Sequence, residues 1–162
     1  MISIIEARED KVQRACDIMI EASEWLNQKN MPLWRREDLT LEIMQTHSTR
    51  GALFLALVEG DPAGTIVIQA EDKVYWPEIT DNSSLFFHKL AVRRKYAGMG
   101  VSNALMAYAY ELAKKKNKSF LRMDCSALHT QLRKFYESNG FEFVDQKQVG
   151  HLLVDRLFKA VI

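Results

Sequence analysis

Apolar positions along this chain recur with two spacings, and the switches between them predict its elements. Ile2 to Ala7 is a short apolar run that reads as an opening strand, followed by a charged turn at Arg8 to Lys11. From Val12 the period becomes helical. Val12, Cys16, Met19, Ser23 and Leu26 form one stripe, and Ala15, Ile18, Ala22 and Trp25 a neighbouring one, so this helix buries a wide face. Asn30-Met31-Pro32 ends it, because Pro32 disfavours helix in the residue before it. Asp38 or Thr40 caps a second, short helix reaching His47, with Leu39 and Ile43 inward. Ala52 to Glu59 and Thr65 to Gln69, joined by a turn from Gly60 to Gly64, read as a β-hairpin.

The second half repeats the alternation. Glu71 to Ser84 is a polar loop carrying Trp76-Pro77 and four acids, Glu71, Asp72, Glu78 and Asp81; such a charge run is first of all a solvated face, although it would suit a cationic amine. Leu85 to Val92 is the central strand, with Phe86, His88 and Leu90 on one face and Phe87, Lys89 and Ala91 on the other. Val101, Leu105, Tyr108 and Leu112 give the next helix its core stripe, and Lys114 to Lys116 complement the negative pole of its dipole. Ser119 to Cys125 is a further strand. Leu128, Leu132, Phe135 and Tyr136 share the face of a helix that Gly140 closes, and Phe141 to Val144 and Leu152 to Phe158 are closing strands, an antiparallel pair. The order β-α-α-β-β-β-α-β-α-β-β predicts an α+β fold.

Composition narrows the possibilities. A chain of 162 residues, 48% of them hydrophobic, suits a single domain over 1–162 with a sizeable core. The net charge of +1 excludes a nucleic-acid or anionic-membrane binder as a whole-chain property. No apolar run has membrane-spanning length and no basic-then-apolar leader opens the chain, so the expected location is cytoplasmic. Cys16 and Cys125 are too few for a disulfide framework, and four scattered histidines predict no metal.

Candidate chemistry concentrates between Leu85 and Met106, where a strand, a basic turn and a helix succeed one another. Gly98 and Gly100 can take positive φ and leave no Cβ in the way of a ligand. The first amides of the following helix have no intrahelical acceptor, and with Arg93, Arg94 and Lys95 they make an anion site for a phosphate-bearing ligand. A nucleotide-hydrolase loop needs a lysine after its last glycine, but Gly100 is followed by Val101, Ser102 and Asn103. A dinucleotide fingerprint keeps two glycines, puts Asn103 in the third place, and would use Asp124 as its ribose acid.

Lys95, Gly98 and Gly100 also occupy the three defining places of Q/R-x-x-G-x-G/A, and the segment resembles motif A of the GNAT superfamily of acyl-CoA-dependent N-acetyltransferases. Lysine in the first place keeps the charge but not arginine's planar fork. Leu132 to Val144, with Phe135-Tyr136 and then Gly140-Phe141, is similar to motif B of the same family, and the element order matches it over the full chain. The resemblance implies a central, mixed, mostly antiparallel, splayed sheet flanked by about four helices. It implies acetyl-CoA as the acyl donor, held by main-chain groups of Leu90, Ala91 and Val92 and by the turn Lys95, Tyr96, Ala97, Gly98, Met99, Gly100, Val101 and Ser102. His129 stands where the family often has a cofactor-binding asparagine. Trp25, Met31 and Trp34 would wall the acceptor, a small-molecule or peptide amine, and a homodimer is a common family assembly.

Transfer to an aliphatic amine requires removal of a proton, and His88 is the titrating group best placed by sequence, with Glu78, Glu24 and Asp124 as further candidates. Tyr136 is the expected proton donor to the departing thiolate, the role its motif position implies. Cys125 has no activating base beside it in the sequence and reads as a buried thiol. Two other functions stay open at this point, a CoA-binding regulatory module without turnover and a dinucleotide-binding domain.

Overall fold

The helical and alternating stretches of the sequence become helices and strands. The computed structural model describes all 162 residues, and its elements are β1 (Ile2–Glu6), α1 (Asp10–Gln28), α2 (Leu41–Thr49), β2 (Leu53–Val58), β3 (Asp61–Gln69), β4 (Ser84–Val92), α3 (Val101–Lys115), β5 (Phe120–Ser126), α4 (Thr130–Ser138), β6 (Glu142–Val149) and β7 (Leu152–Ala160). The strands hydrogen-bond in the order β1-β2-β3-β4-β5-β7-β6. β4 and β5 run parallel, whereas the ladders β1-β2, β2-β3, β5-β7 and β6-β7 are antiparallel. The fold is therefore the expected α+β arrangement, a mixed open sheet with four α-helices. The chain forms two compact units, one of residues 1–68 and 89–108, the other of residues 69–88 and 109–162.

In the first unit the double stripe of α1 supplies the core. Val12, Ala15, Cys16, Ile18, Met19 and Ala22 bury against Leu39, Met44, Leu53, Leu55 and Val67. Full burial of the larger of these, such as Ile18, Met19 and Leu55, contributes about 1.5–3 kcal/mol each, far more than helix propensity could. Thr40, not Asp38, caps α2, its Oγ1 accepting from Ile43 N at 3.3 Å. The hairpin turn is shorter than the glycine spacing suggests: it is Glu59-Gly60, both at positive φ (49° and 82°), and β3 already starts at Asp61. Both residues in the left-handed region match the twist of a two-residue hairpin. Gly64 is consequently a strand residue, and its reason is space. A Cβ there would lie 2.8 Å from Val101 Cγ1, 3.0 Å from the Ala91 carbonyl oxygen and 3.1 Å from Leu105 Cδ1.

In the second unit, Phe87, Tyr136 and Phe141 form an aromatic cluster with ring centroids 5.8–6.2 Å apart. β5 pairs with β7 from Phe120↔Ala160 to Ser126↔Val154. β6 continues to Val149, five residues beyond the apolar stretch that predicts it, because it lies at the end of the strand order and alternates exposed with half-buried positions, which polar residues tolerate. Leu128 departs from its expected place on the α4 face; it precedes the helix and is 83% exposed. The two-residue alternation expected through β4 also breaks, at Lys89, which takes φ 52°. The parallel ladder with β5 covers four of the nine β4 residues, from Ser84↔Phe120 to Phe87↔Met123.

Candidate active site

Within the first unit, β4 ends in a 3-10 turn at Arg94–Tyr96 and passes through Gly98 (φ 75°) and Gly100 (φ 82°) into α3. L side chains are strained at such φ, so glycine is the residue that lets the chain turn here. A Cβ built at either glycine meets nothing within 4 Å. Ala97, Gly98, Met99 and Gly100 are all exposed, and Ala104 N donates the first α-helical bond, to Gly100 O at 3.0 Å. The amides of Val101 and Ser102 thus stand ahead of that bond at the positive end of the dipole, next to the open glycine turn.

The three cations do not simply face outward. Arg93 donates to Pro62 O at 3.0 Å and lies 3.4 Å from Asp61 Oδ2 and 3.7 Å from Glu21 Oε1. Arg94 stacks its guanidinium 3.9 Å over the Trp25 ring, while its backbone N donates to Glu21 Oε2 at 3.0 Å. Lys95 Nζ sits 3.4 Å from Asp61 Oδ2, and the Tyr96 hydroxyl donates to the same carboxylate. The Tyr96 bond, helped by Lys95 and Arg93, holds the Asp61 carboxyl below its ordinary pKa. Glu21 and Asp61 are functional neighbours that sequence reasoning missed, Glu21 lying 73 residues from the Arg94 backbone N–H it accepts from and Asp61 lying 34 residues from Lys95. A cavity of ≈ 370 Å³ beside this turn has Lys11, Arg14, Asp17, Glu21, Asp61 and Arg93 in its walls, so its charges balance. Of the aromatic residues expected around an acceptor, Trp25 is taken up by Arg94 and Trp34 packs against the core of this unit, while Met31 is exposed. Glu24 pairs with Arg36 at 3.2 Å. Leu90 and Val92 are half-buried and Ala91 lies in the core.

The second unit brings together residues that are distant in sequence. His88 lies between Asp72 of the loop before β4 and Asp124 of β5, with Nε2 3.4 Å from Asp72 Oδ2 and Nδ1 3.6 Å from Asp124 Oδ1. The Tyr75 ring lies 6.2 Å from the imidazole. Of the four loop acids, three have other roles: Glu71 pairs with Lys73, Asp81 accepts from Ser83 N, and Glu78 pairs with Arg156 at 2.8 Å. Asp72 is the exception, with its side chain only 4% exposed. Glu78 is therefore an ion-pair partner, held below its ordinary pKa by the Arg156 hydrogen bond.

Tyr136 sits on the buried face of α4 against Phe87 and Phe141. Burial, with smaller contributions from Cys125 and Asp124, pushes its phenol well above the ordinary range, so it keeps its proton at neutral pH. Burial pushes the Cys125 thiol up to about 12, with Asp155 and Asp124 adding to it, in keeping with an inert thiol. His129 takes the residue position before α4 but makes no side-chain cap. No helix is long and apolar enough to cross a membrane.

Comparison with known proteins gives a consistent answer. Residues 19–141 match the model of the acetyltransferase (GNAT) family. An uncharacterized N-acetyltransferase of Bacillus subtilis, YesJ, is 23% identical over 150 residues, which is 86% of this chain and 81% of that protein. A GNAT-family acetyltransferase from Listeria monocytogenes superposes with a TM-score of 0.82 at 20% identity, covering 98% of this chain and 94% of that one. The PaiA N-acetyltransferase of Thermoplasma acidophilum, solved in complex with coenzyme A, gives 0.77 at 16% identity with 99% of both chains covered. A match across three quarters of its length, together with the sheet order and the glycine turn into α3, makes this chain a member of the GNAT family of N-acetyltransferases.

Proposed function

We propose that the chain acts in the cytoplasm as one catalytic domain that moves an acetyl group from acetyl-CoA to a primary amine of a small molecule or peptide, by direct attack within a ternary complex. The family membership supports the reaction class, and the open turn at Gly98 and Gly100 fits a pyrophosphate, since nothing fills the space a Cβ would claim. In this reading the main chain from Lys95 to Ser102 binds the pyrophosphate, Leu90 to Val92 bond the pantetheine arm through their backbone, and His129 lies along the cofactor. Because Lys95 shares Asp61, backbone amides carry more of the phosphate contact than the motif's first side chain does.

His88 takes a proton from the acceptor ammonium, freeing the nitrogen lone pair. The amine then attacks the thioester carbonyl, the C–N bond forms, and the C–S bond breaks as the tetrahedral oxyanion collapses. The thiolate takes the Tyr136 proton, the phenolate recovers one from the new amide nitrogen, and His88 releases its own to water. The balance is one amide, one free thiol and one proton.

Tyr136 is the observation that carries this assignment: a phenol on a motif-B helix that burial keeps protonated at neutral pH. The test is thermal unfolding with acetyl-CoA, and with NAD as control, on the wild type and on Gly98→Trp, followed by an amine panel with detection of released thiol. A rise in Tm for acetyl-CoA alone, absent in the variant, and thiol release dependent on an amine are expected. Stabilisation by NAD instead, or acetyl-CoA binding without turnover on any amine, would overturn the proposal.

A further inference from the structure

Two buried carboxylate oxygens in the second unit lack a hydrogen-bond partner, Asp72 Oδ2 and Asp124 Oδ1, and both face the same imidazole. One ligand atom from each of Asp72, His88 and Asp124 can be chosen so that all three lie within 4.8 Å of one another. Two anionic groups that close, with side chains only 4% and 13% exposed, repel each other in a medium of low dielectric unless positive charge stands with them. His88 relieves that repulsion when it takes up a proton in the reaction, so the pair favours the proton's arrival on the ring.

The loop is built to hold Asp72 in place. Asp72 Oδ1 accepts from Val74 N at 3.0 Å and Tyr75 N at 2.9 Å, which fixes the carboxylate and leaves Oδ2 turned to the ring. Arg156 ties the loop down further along, donating to Tyr75 O at 2.9 Å and standing 4.3 Å from the Trp76 ring, itself 1% exposed. Asp124 comes from β5, whose register is fixed by pairing with β7 at Asp124↔Arg156. The titratable groups facing the imidazole are thus Asp72 and Tyr75 from the loop and Asp124 from β5.

We propose that Asp72 and Asp124 are positioning residues that act through His88: they orient its ring and stabilise the imidazolium formed when it accepts the proton of the acceptor ammonium. This rests on the acetyl-transfer reading and deepens it, since a site preorganised around two carboxylates favours an acceptor that arrives as a cation and delivers a proton. The two ring nitrogens face different carboxylates, an arrangement that suits a doubly protonated ring better than a single divalent ion, which would coordinate one of them.

The experiment compares the wild type with Asp72→Asn, Asp124→Asn and His88→Gln. Asn at 72 keeps an oxygen for the Val74 and Tyr75 amides, so the loop turn survives while the charge goes. His88 is followed by NMR of its ring signals across pH in the resting enzyme, and kcat and KM are measured with the best amine of the panel. Loss of either carboxylate is expected to move the His88 ring titration to lower pH, to lower kcat at least about tenfold, and to leave KM for acetyl-CoA within about twofold. An unaltered His88 titration in both Asn variants, beside an inactive His88→Gln, would overturn the partnership while leaving the base assignment intact. A fully active His88→Gln would sink the base assignment, and this proposal with it. Stoichiometric Zn²⁺ or Mn²⁺ binding lost in all three variants would make the cluster a metal site instead.

Discussion

Cys125 and Tyr136 are lifted by the same cause, burial, with opposite consequences. A thiol pushed up to about 12 is not a nucleophile at neutral pH, whereas a phenol raised by burial holds its proton at neutral pH until a thiolate forms beside it. Both cysteines are buried and free, so a thiol reagent at pH 8 is expected to leave the native protein nearly unlabelled and to count two thiols once it is unfolded in urea. Tyr136→Phe is expected to lower kcat about 10²-fold with little change in KM. Full activity in that variant would remove the tyrosine from the mechanism. Gly64→Ala puts a methyl against the Ala91 carbonyl and Val101, and is expected to cost about 1–3 kcal/mol in urea unfolding. Gly98 and Gly100 were legible in the sequence because their role depends on local φ and on the helix that follows. Gly64 was misread as a turn residue because its reason is a neighbour 37 residues away.

Between residues and fold stands the loop before β4, held by one strand residue. Arg156, with a side chain 7% exposed, bonds Asp145 at 2.7 and 2.9 Å, Glu78 at 2.8 Å and the Tyr75 carbonyl. Its hydrogen bonds hold the Glu78 and Asp145 carboxyls below their ordinary values of 4.5 and 3.8. A depressed carboxyl contributes stability that is full above its ordinary value and is lost as pH falls through the lower folded one. Arg156→Met is therefore expected to lower stability at pH 7 by about 1–2 kcal/mol, the figure being small because both carboxylates are half in water. Its stability should also fall less steeply than the wild type's below about pH 4.5, which acid unfolding followed by circular dichroism would read. Elements with a clean period, α1 and the β2–β3 hairpin, were legible from pattern alone. The loop was not: its acids look alike in sequence, and what separates buried Asp72 from paired Glu78 is a partner on another strand.

For the molecule as a whole, ligand binding and folding are one equilibrium. Acetyl-CoA at a hundredfold excess over its Kd should add about 2.7 kcal/mol, a Tm rise of about 5–10 °C for a chain of this length. Calorimetry that finds no rise would remove acetyl-CoA from the list of ligands. The family was legible from two short segments, Lys95 to Gly100 and Phe135 to Phe141, because each couples a glycine to a helix end. The acceptor was not legible, because the residues expected to wall it do other work, Trp25 under Arg94 and Trp34 in the core. Neither compact unit is a continuous stretch of chain, since one takes residues 1–68 and 89–108 and the other the remainder. No single recombination joint therefore falls between the two units, and wherever it is placed it splits at least one of them. A library built by exchanging front and back halves between relatives would break at least one unit in every member.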